Sequence, residues 1–366
     1  MSKIKVNSLE GVGASTPAIS IDNSSGTCTA NLTNRKGKNL VINGDFRVAQ
    51  YGTSSTSNGY TTVDRFNIYG ANVGVTITNS QQSLTSSDTP YTLGFKNFYR
   101  IALSAAGTAN TNAEIALYHN FEAQDIVNSG WNHTSASSFI TVQFWFRCST
   151  NQTFYCYLQS KDGTEQSNAF SFTASGNNTW TKITKTLSGN SNIVINNDNG
   201  EGLRMSIIPF YGGDLTNNKT LDQWSAFDAA NRIPDMPSTW LEAGASTFDL
   251  TGIQLEVSDH STDFEFLPFS EVFRKCQRYY EEGMVSSQSY VNGQQNIGVP
   301  AKYTTIKRAA ASVTFTDDAT PSSGNVASVS SVQVHRNRVD GAFSYTDSSG
   351  AGNYYFYYIY KASAEL

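Results

Sequence analysis

From Asn39 to about residue 268 the sequence is a succession of short β-type segments, each cut off by Gly, Asn, Ser or Asp. NLVING, FNIYG, VGVTIT, YRIALS, AEIALYHNF, SFITVQFWFRCS, TFYCYLQS, LRMSIIPF and FDLTGIQLEV follow one another in this way. Few of these segments are long enough for a helix to bury a stripe, and several alternate apolar with polar residues. A series of short strands with turn signals between them predicts a sandwich or jelly roll. Composition agrees: aromatic residues make up 12% and charged residues 15%, which favours half-buried pleated surfaces over disorder. The fold class is mainly β, with one exception: TLDQWSAFDAANR reads equally well as a short helix or a polar loop.

The chain divides into four parts by composition. Residues 1–38 contain few large apolar side chains and read as an arm that orders against another chain or a larger assembly. Residues 39–268 form the jelly-roll β-sandwich, 269–283 a helical linker, and 284–366 a small C-terminal β domain. In the linker, Phe269, Val272, Phe273, Cys276, Tyr279 and Tyr280 recur at helical spacing and predict one apolar stripe over 269–282, suited to docking or to a threefold contact. Arg274, Lys275 and Arg278 fall on the other side, so Cys276 reads as an inert buried thiol. The final strand segment, YYFYYIYKASAEL, carries aromatics at both alternations and calls for cover on both faces.

Several functions are excluded at this level. Net charge is −5 with no basic run, which argues against nucleic-acid binding. The start, MSKIKVNSLEGVG, has no apolar core of a secretion signal, and no apolar run reaches membrane-spanning length, so membrane insertion is not expected. Cys28, Cys148, Cys156 and Cys276 match no zinc spacing. Cys148 and Cys156 are expected on one face of a hairpin as free thiols. His119, His133, His260 and His335 sit in unrelated segments, and neither a P-loop nor a nucleophile elbow occurs. The expectation is a non-enzyme with no catalytic residue, cofactor or metal.

Alternation in SFITVQFWFRCS places Val142, Phe144, Phe146 and Cys148 on a core face, and Thr141, Gln143, Trp145 and Arg147 on the other. In the next segment Tyr155, Tyr157 and Gln159 likewise share one face. Aromatic planes flanked by polar groups suit sugars. Trp145, Tyr155 and Tyr157 with Gln143, Arg147 and Gln159 are therefore the candidate glycan platform or subunit interface or, alternatively, a second packed layer under a loop.

These motifs resemble those of a family. NLVINGDFRVAQYGTSS with YTTVDRF is similar to the opening of jelly-roll domains in tail-fibre and related surface proteins of tailed bacteriophages. SFITVQFWFRCS, NNTWTKITKTL, NDNGEGLRMSIIPFYGG, LTGIQLEV and FEFLPFSEVFRKCQRYYE follow in order, then IKRAAASVTF and ASAEL. The leader MSKIKVNSLEG resembles that of marine-phage structural proteins. NLVINGDF also resembles the start of many carbohydrate-binding modules of jelly-roll fold.

The resemblance implies a virion protein, often trimeric, made in the host cytoplasm. It would attach to other tail or capsid proteins through residues 1–38 and bind host surface polysaccharide. Alternatives are an architectural tail adaptor or capsid-surface fibre without a receptor, and a polysaccharide depolymerase. Modules of this type often hold calcium near their first and last strands. DLTGIQL lacks the paired aspartates for it, so Asp45, Asp259 and Asp263 read as turn residues or, alternatively, as oxygen ligands for such an ion.

Overall fold

The protein is described by a computed structural model over residues 6–9, 19–21, 24, 28–30, 36–291, 295–317, 329–345 and 352–366. Most of the arm 1–38 lies outside these. Within it, β1 (Ser8–Leu9), β2 (Ile19–Ile21) and β3 (Cys28–Ala30) pair as a small antiparallel sheet.

The body opens with β4 (Ser54–Ser55), β5 (Asn67–Ala71), β6 (Ile77–Ser83), α1 (Thr89–Thr92), β7 (Asn97–Leu103), β8 (Glu114–Glu122) and α2 (Ala123–Val127). It continues through β9 (Phe139–Cys148), β10 (Phe154–Ser160), β11 (Gln166–Phe172), β12 (Thr181–Ser188) and β13 (Glu201–Tyr211). β14 (Ser225–Ala226), α3 (Thr239–Glu242) and β15 (Thr247–Glu256) complete it. Two six-stranded sheets result, ordered β14-β11-β10-β13-β8-β5 and β12-β9-β15-β7-β6-β4. Their inner faces pack against each other as a jelly-roll β-sandwich. The TLDQWSAFDAANR segment is loop with a two-residue edge strand rather than a helix, and Trp224 donates its indole N–H to the Ser188 carbonyl at 2.7 Å.

The expected hairpin of β9 and β10 does not form. β9 pairs with β12 and β15, whereas β10 pairs with β11 and β13. Residues 149–153 carry the chain from one sheet to the other. The apolar alternations of both strands then meet face to face across the core, with Phe146 and Phe154 ring centroids 5.3 Å apart. Turn residues between two strands are compatible with either connection, and burial on two facing sheets decides it. Cys148 and Cys156 are free thiols in this core.

NLVINGDF is part of the sandwich edge. The Leu40 N–H donates to the Leu255 carbonyl at 2.8 Å, and the Ile253 N–H to the Gly44 carbonyl at 2.9 Å. Gly44 is required there, since a Cβ would come within 2.0 Å of the Ile253 oxygen.

The linker helix α4 spans Phe269–Gln277, shorter than the apolar spacing suggested. Tyr280 already begins β16 (Tyr280–Val291), where it pairs with Ser363. Sheet pairing overrides the helical period from this point. Gly283 lies inside β16 opposite Tyr360, where a Cβ would come within 2.6 Å of the tyrosine ring. β17 (Gln295–Lys302), β18 (Ser312–Asp317), β19 (Val329–Val334), β20 (Arg338–Tyr345) and β21 (Gly352–Ser363) complete two three-stranded sheets, β16-β21-β18 and β17-β20-β19.

The stripe on α4 faces its own chain. Val272 and Cys276 pack on Val48, with Ile42, Leu267 and Phe273 around them. Tyr279 and Tyr280 are also buried. This corrects the expected intersubunit contact for Val272, Cys276, Tyr279 and Tyr280, because the sandwich edge already covers them. Phe269 stays 57% exposed, stacked on the half-buried Phe273 at 5.7 Å. Burial holds the Cys276 thiol well above its ordinary range, as an inert side chain requires.

Charged pairs fasten the C-terminal domain to the sandwich. Glu122 accepts from Arg278 at 2.6 and 2.7 Å and from the Tyr279 hydroxyl at 2.6 Å. Burial acts to raise its pKa, but these donors hold it below the ordinary carboxylate range. Arg65 pairs with Glu365 and lies 3.4 Å from the Tyr279 ring centroid. Within the C-terminal sheets, Lys307 donates to Glu281 at 2.8 Å, both side chains being buried.

Candidate functional site

Beyond the core, β9 presents Gln143 and Trp145 on the outer face of its sheet. Opposite them β15 departs from regular pairing. Thr251 pairs with Trp145 and Gln254 with Gln143, so Gly252 and Ile253 together oppose Phe144. This is a bulge with Gly252 at φ +65°. A Cβ at Gly252 would stand 2.7 Å from the Phe95 ring, so glycine is needed both for the backbone and for the ring above it.

Outer-face polar residues of the two strands hold the segment after β15 across the sheet. Glu256 accepts from the Thr262 N–H at 2.8 Å and from its hydroxyl at 2.6 Å. Gln254 accepts from the Glu265 N–H at 2.9 Å. Gln143 donates through Nε2 to the Thr262 carbonyl at 2.8 Å. Held this way, the segment brings Phe264 and Phe266 against Phe95, each of the three centroid pairs 4.9 Å apart. Two of these contacts are edge-on, the favourable geometry for aromatic quadrupoles.

The result is a groove of about 500 Å³. Phe95, Gln143, Trp145, Gly252, Phe264 and Phe266 line it. Leu93, Lys182 and Asp263 stand at the rim, and all three are exposed. Phe266 is 44% exposed, a large ring presented to solvent beside the cavity. Gln143 is only 2% exposed, and with its Nε2 committed to Thr262, its Oε1 is buried without a hydrogen-bond partner. Buried acceptors without a partner are rare.

Arg147 lies beyond the groove, its guanidinium already engaged. It donates to Asp249 at 2.9 and 3.0 Å and to Asp88 at 2.9 Å, and it covers the Trp180 ring at 4.5 Å. Arg100 grips the other side of Asp249 at 2.8 Å. Arg147 thus supports the face on which Trp145 stands.

Tyr155, Tyr157 and Gln159 do not join Trp145, which corrects the single platform expected from alternation. With β10 in the opposite sheet, they point away from the other side of the sandwich. Tyr155 and Tyr157 are packed under Ile233, Leu215, Leu221 and Phe227 from residues 212–236. Gln159 donates to Glu165 at 2.6 Å. The structure therefore keeps Gln143 and Trp145 together and separates them from the tyrosines. Phe95, Phe264 and Phe266 were missed from the sequence. For Phe264 and Phe266 the one signal was the alternation in DFEF, which follows a strand rather than forming one, and Phe95 carried none.

Asp45, Asp259 and Asp263 are not gathered. Asp45 pairs with Arg47, Asp259 pairs with His260, and Asp263 stands at the groove rim.

No family model and no curated protein matches the chain. Solved structures similar to it include the enzymatically active domain of tailspike protein 4 from bacteriophage CBA120, at 9% identity and a TM-score of 0.30. That match covers 60% of this chain and 21% of the tailspike chain. A family 4 carbohydrate-binding module matches at 10% identity and a TM-score of 0.31, over 60% of this chain and 99% of the module. The family 11 carbohydrate-binding module from Clostridium thermocellum, in complex with a β-1,3-1,4-mixed-linked tetrasaccharide, matches at 8% identity and a TM-score of 0.28. It covers 58% of this chain and 98% of the module. At these scores the likenesses add nothing to the sandwich read from its own ladders, and they show no family.

Proposed function

We propose that the groove beside Trp145 binds saccharide, and that the chain is a virion fibre protein that attaches a phage to its host's surface polysaccharide. The observation that carries the binding role is the groove itself: exposed and half-buried rings around a buried amide oxygen that lacks a donor. Sugars offer both halves of this match, apolar C–H faces for rings and hydroxyl or amide donors for the oxygen. The names of the similar structures, two carbohydrate-binding modules and a phage tailspike domain, point the same way.

The virion role rests on the motif order from NLVINGDF to ASAEL. In this reading residues 1–38 engage other tail or capsid proteins, and the fibre is a homotrimer whose partners cover the doubly aromatic strand YYFYYIYKASAEL. The role is recognition rather than catalysis, with the particle surface as its place of action. Calorimetric titration with polysaccharide extracted from candidate host bacteria tests the binding role. The wild type is expected to bind saturably, and Trp145→Ala to bind about tenfold or more weakly while its melting temperature is retained. Equal binding by both proteins would remove the groove from the account.

A further inference from the structure

Resting on the reading of the groove as a saccharide site, we propose that it selects a sugar carrying an acetamido group. The argument begins with a buried polar atom of the groove lining that has no hydrogen-bond partner. Gln143 directs Nε2 to the Thr262 carbonyl, which leaves Oε1 as a buried acceptor. The ligand must therefore bring a donor. The rings of Phe95, Phe264 and Trp145 line the same groove, and Gly252 offers no polar side chain.

A sugar hydroxyl would supply the donor but set only ring C–H groups beside it, with no methyl to fill the apolar lining. An acetamido substituent supplies an N–H and, two bonds away from that nitrogen, a methyl group. The N–H meets the Gln143 oxygen and the methyl meets the rings. Its carbonyl oxygen needs a donor in turn, and Lys182 stands at the rim as an exposed ammonium. Asp263 on the same rim accepts from ring hydroxyls.

The test uses the full chain with two neutral trisaccharides, triacetylchitotriose and cellotriose, which differ in having an acetamido or a hydroxyl group at C2. Titration calorimetry is expected to show triacetylchitotriose binding about tenfold or more tightly. Saturation-transfer NMR should place the strongest transfer on the acetyl methyl protons. In Gln143→Leu the preference should collapse. If that variant fails to fold, the wild-type preference and the methyl signal still decide the matter.

Equal affinity for the two sugars overturns the acetamido assignment and leaves the saccharide reading standing. Binding of host polysaccharide with no binding of triacetylchitotriose also overturns it. If the protein binds neither trisaccharide nor host polysaccharide, the saccharide reading falls as well.

Discussion

The two outer faces of the sandwich start from similar sequence and end in opposite states. Both carry aromatic residues alternating with polar ones, Trp145 with Gln143 on β9, and Tyr155 and Tyr157 with Gln159 on β10. Over β10 the chain lays residues 212–236 as a roof, with Lys219 donating to Ser167 and Ser225 at 2.9 and 2.8 Å to fix it. Tyr211 then lies within 3.3 Å of the Tyr118 hydroxyl and 3.5 Å of that of Tyr157, hydroxyl to hydroxyl, so even the polar ends are enclosed. Over β9 the segment after β15 crosses only part of the face and leaves a groove. Aromatic alternation in a strand therefore does not distinguish a binding face from a second packed layer. What covers it does.

The largest expected difference between the faces is in stability. Tyr157→Ala, at a side chain 2% exposed beneath the roof, should cost about 3–5 kcal/mol in denaturant unfolding. The saccharide affinity of the remaining folded protein should not change. A matching loss of affinity would mean that the two faces are coupled.

Next in size is Gly252→Ala, which forces a side chain into left-handed backbone and against Phe95. It should cost about 1–3 kcal/mol and, unlike the tyrosine variant, should also weaken binding by deforming the groove. Retained affinity would show that the bulge does not shape the site.

A pH response should belong to neither face. Burial raises the Asp64 pKa to about 7, against hydrogen bonds from Gln50 that act to lower it. The folded state therefore holds a proton that the unfolded chain releases from about pH 4. Stability from this group is complete below that value and is lost as pH rises toward 7. Melting temperatures from pH 4 to 8 should fall less steeply in Asp64→Asn than in the wild type, and parallel curves would contradict this assignment. The smallest effect on stability is expected for Phe266→Ala, within about 0.5–1 kcal/mol because the ring is exposed, yet saccharide affinity should fall about tenfold. A variant that is strongly destabilised yet binds with wild-type affinity would reverse the comparison.

Much of the fold was legible in the sequence because alternation has one physical cause. Val142, Phe144, Phe146 and Cys148 are buried as their spacing requires. The sheet to which each strand belongs was not legible. A five-residue connection such as 149–153 suits a hairpin and a crossing between sheets equally well, so Trp145 and Tyr155 appeared to share a surface. The helical stripe failed at its end for a similar reason. Tyr279 and Tyr280 are buried as expected, but pairing of Tyr280 with Ser363, distant in sequence, sets the conformation. Of the groove, Gln143 and Trp145 could be read from their strand. Phe95, Phe264 and Phe266 could not, since irregular segments bring them together and only the bulge at Gly252 makes room.

The most direct measurement is a crystal structure of the protein with a bound host-surface oligosaccharide. The sugar is expected in the groove, packed against Trp145 and Phe266 with a donor on the Gln143 oxygen, while the face over Tyr155 and Tyr157 stays closed. Sugar bound beneath residues 212–236, or anywhere that leaves the groove beside Trp145 empty, would contradict the account.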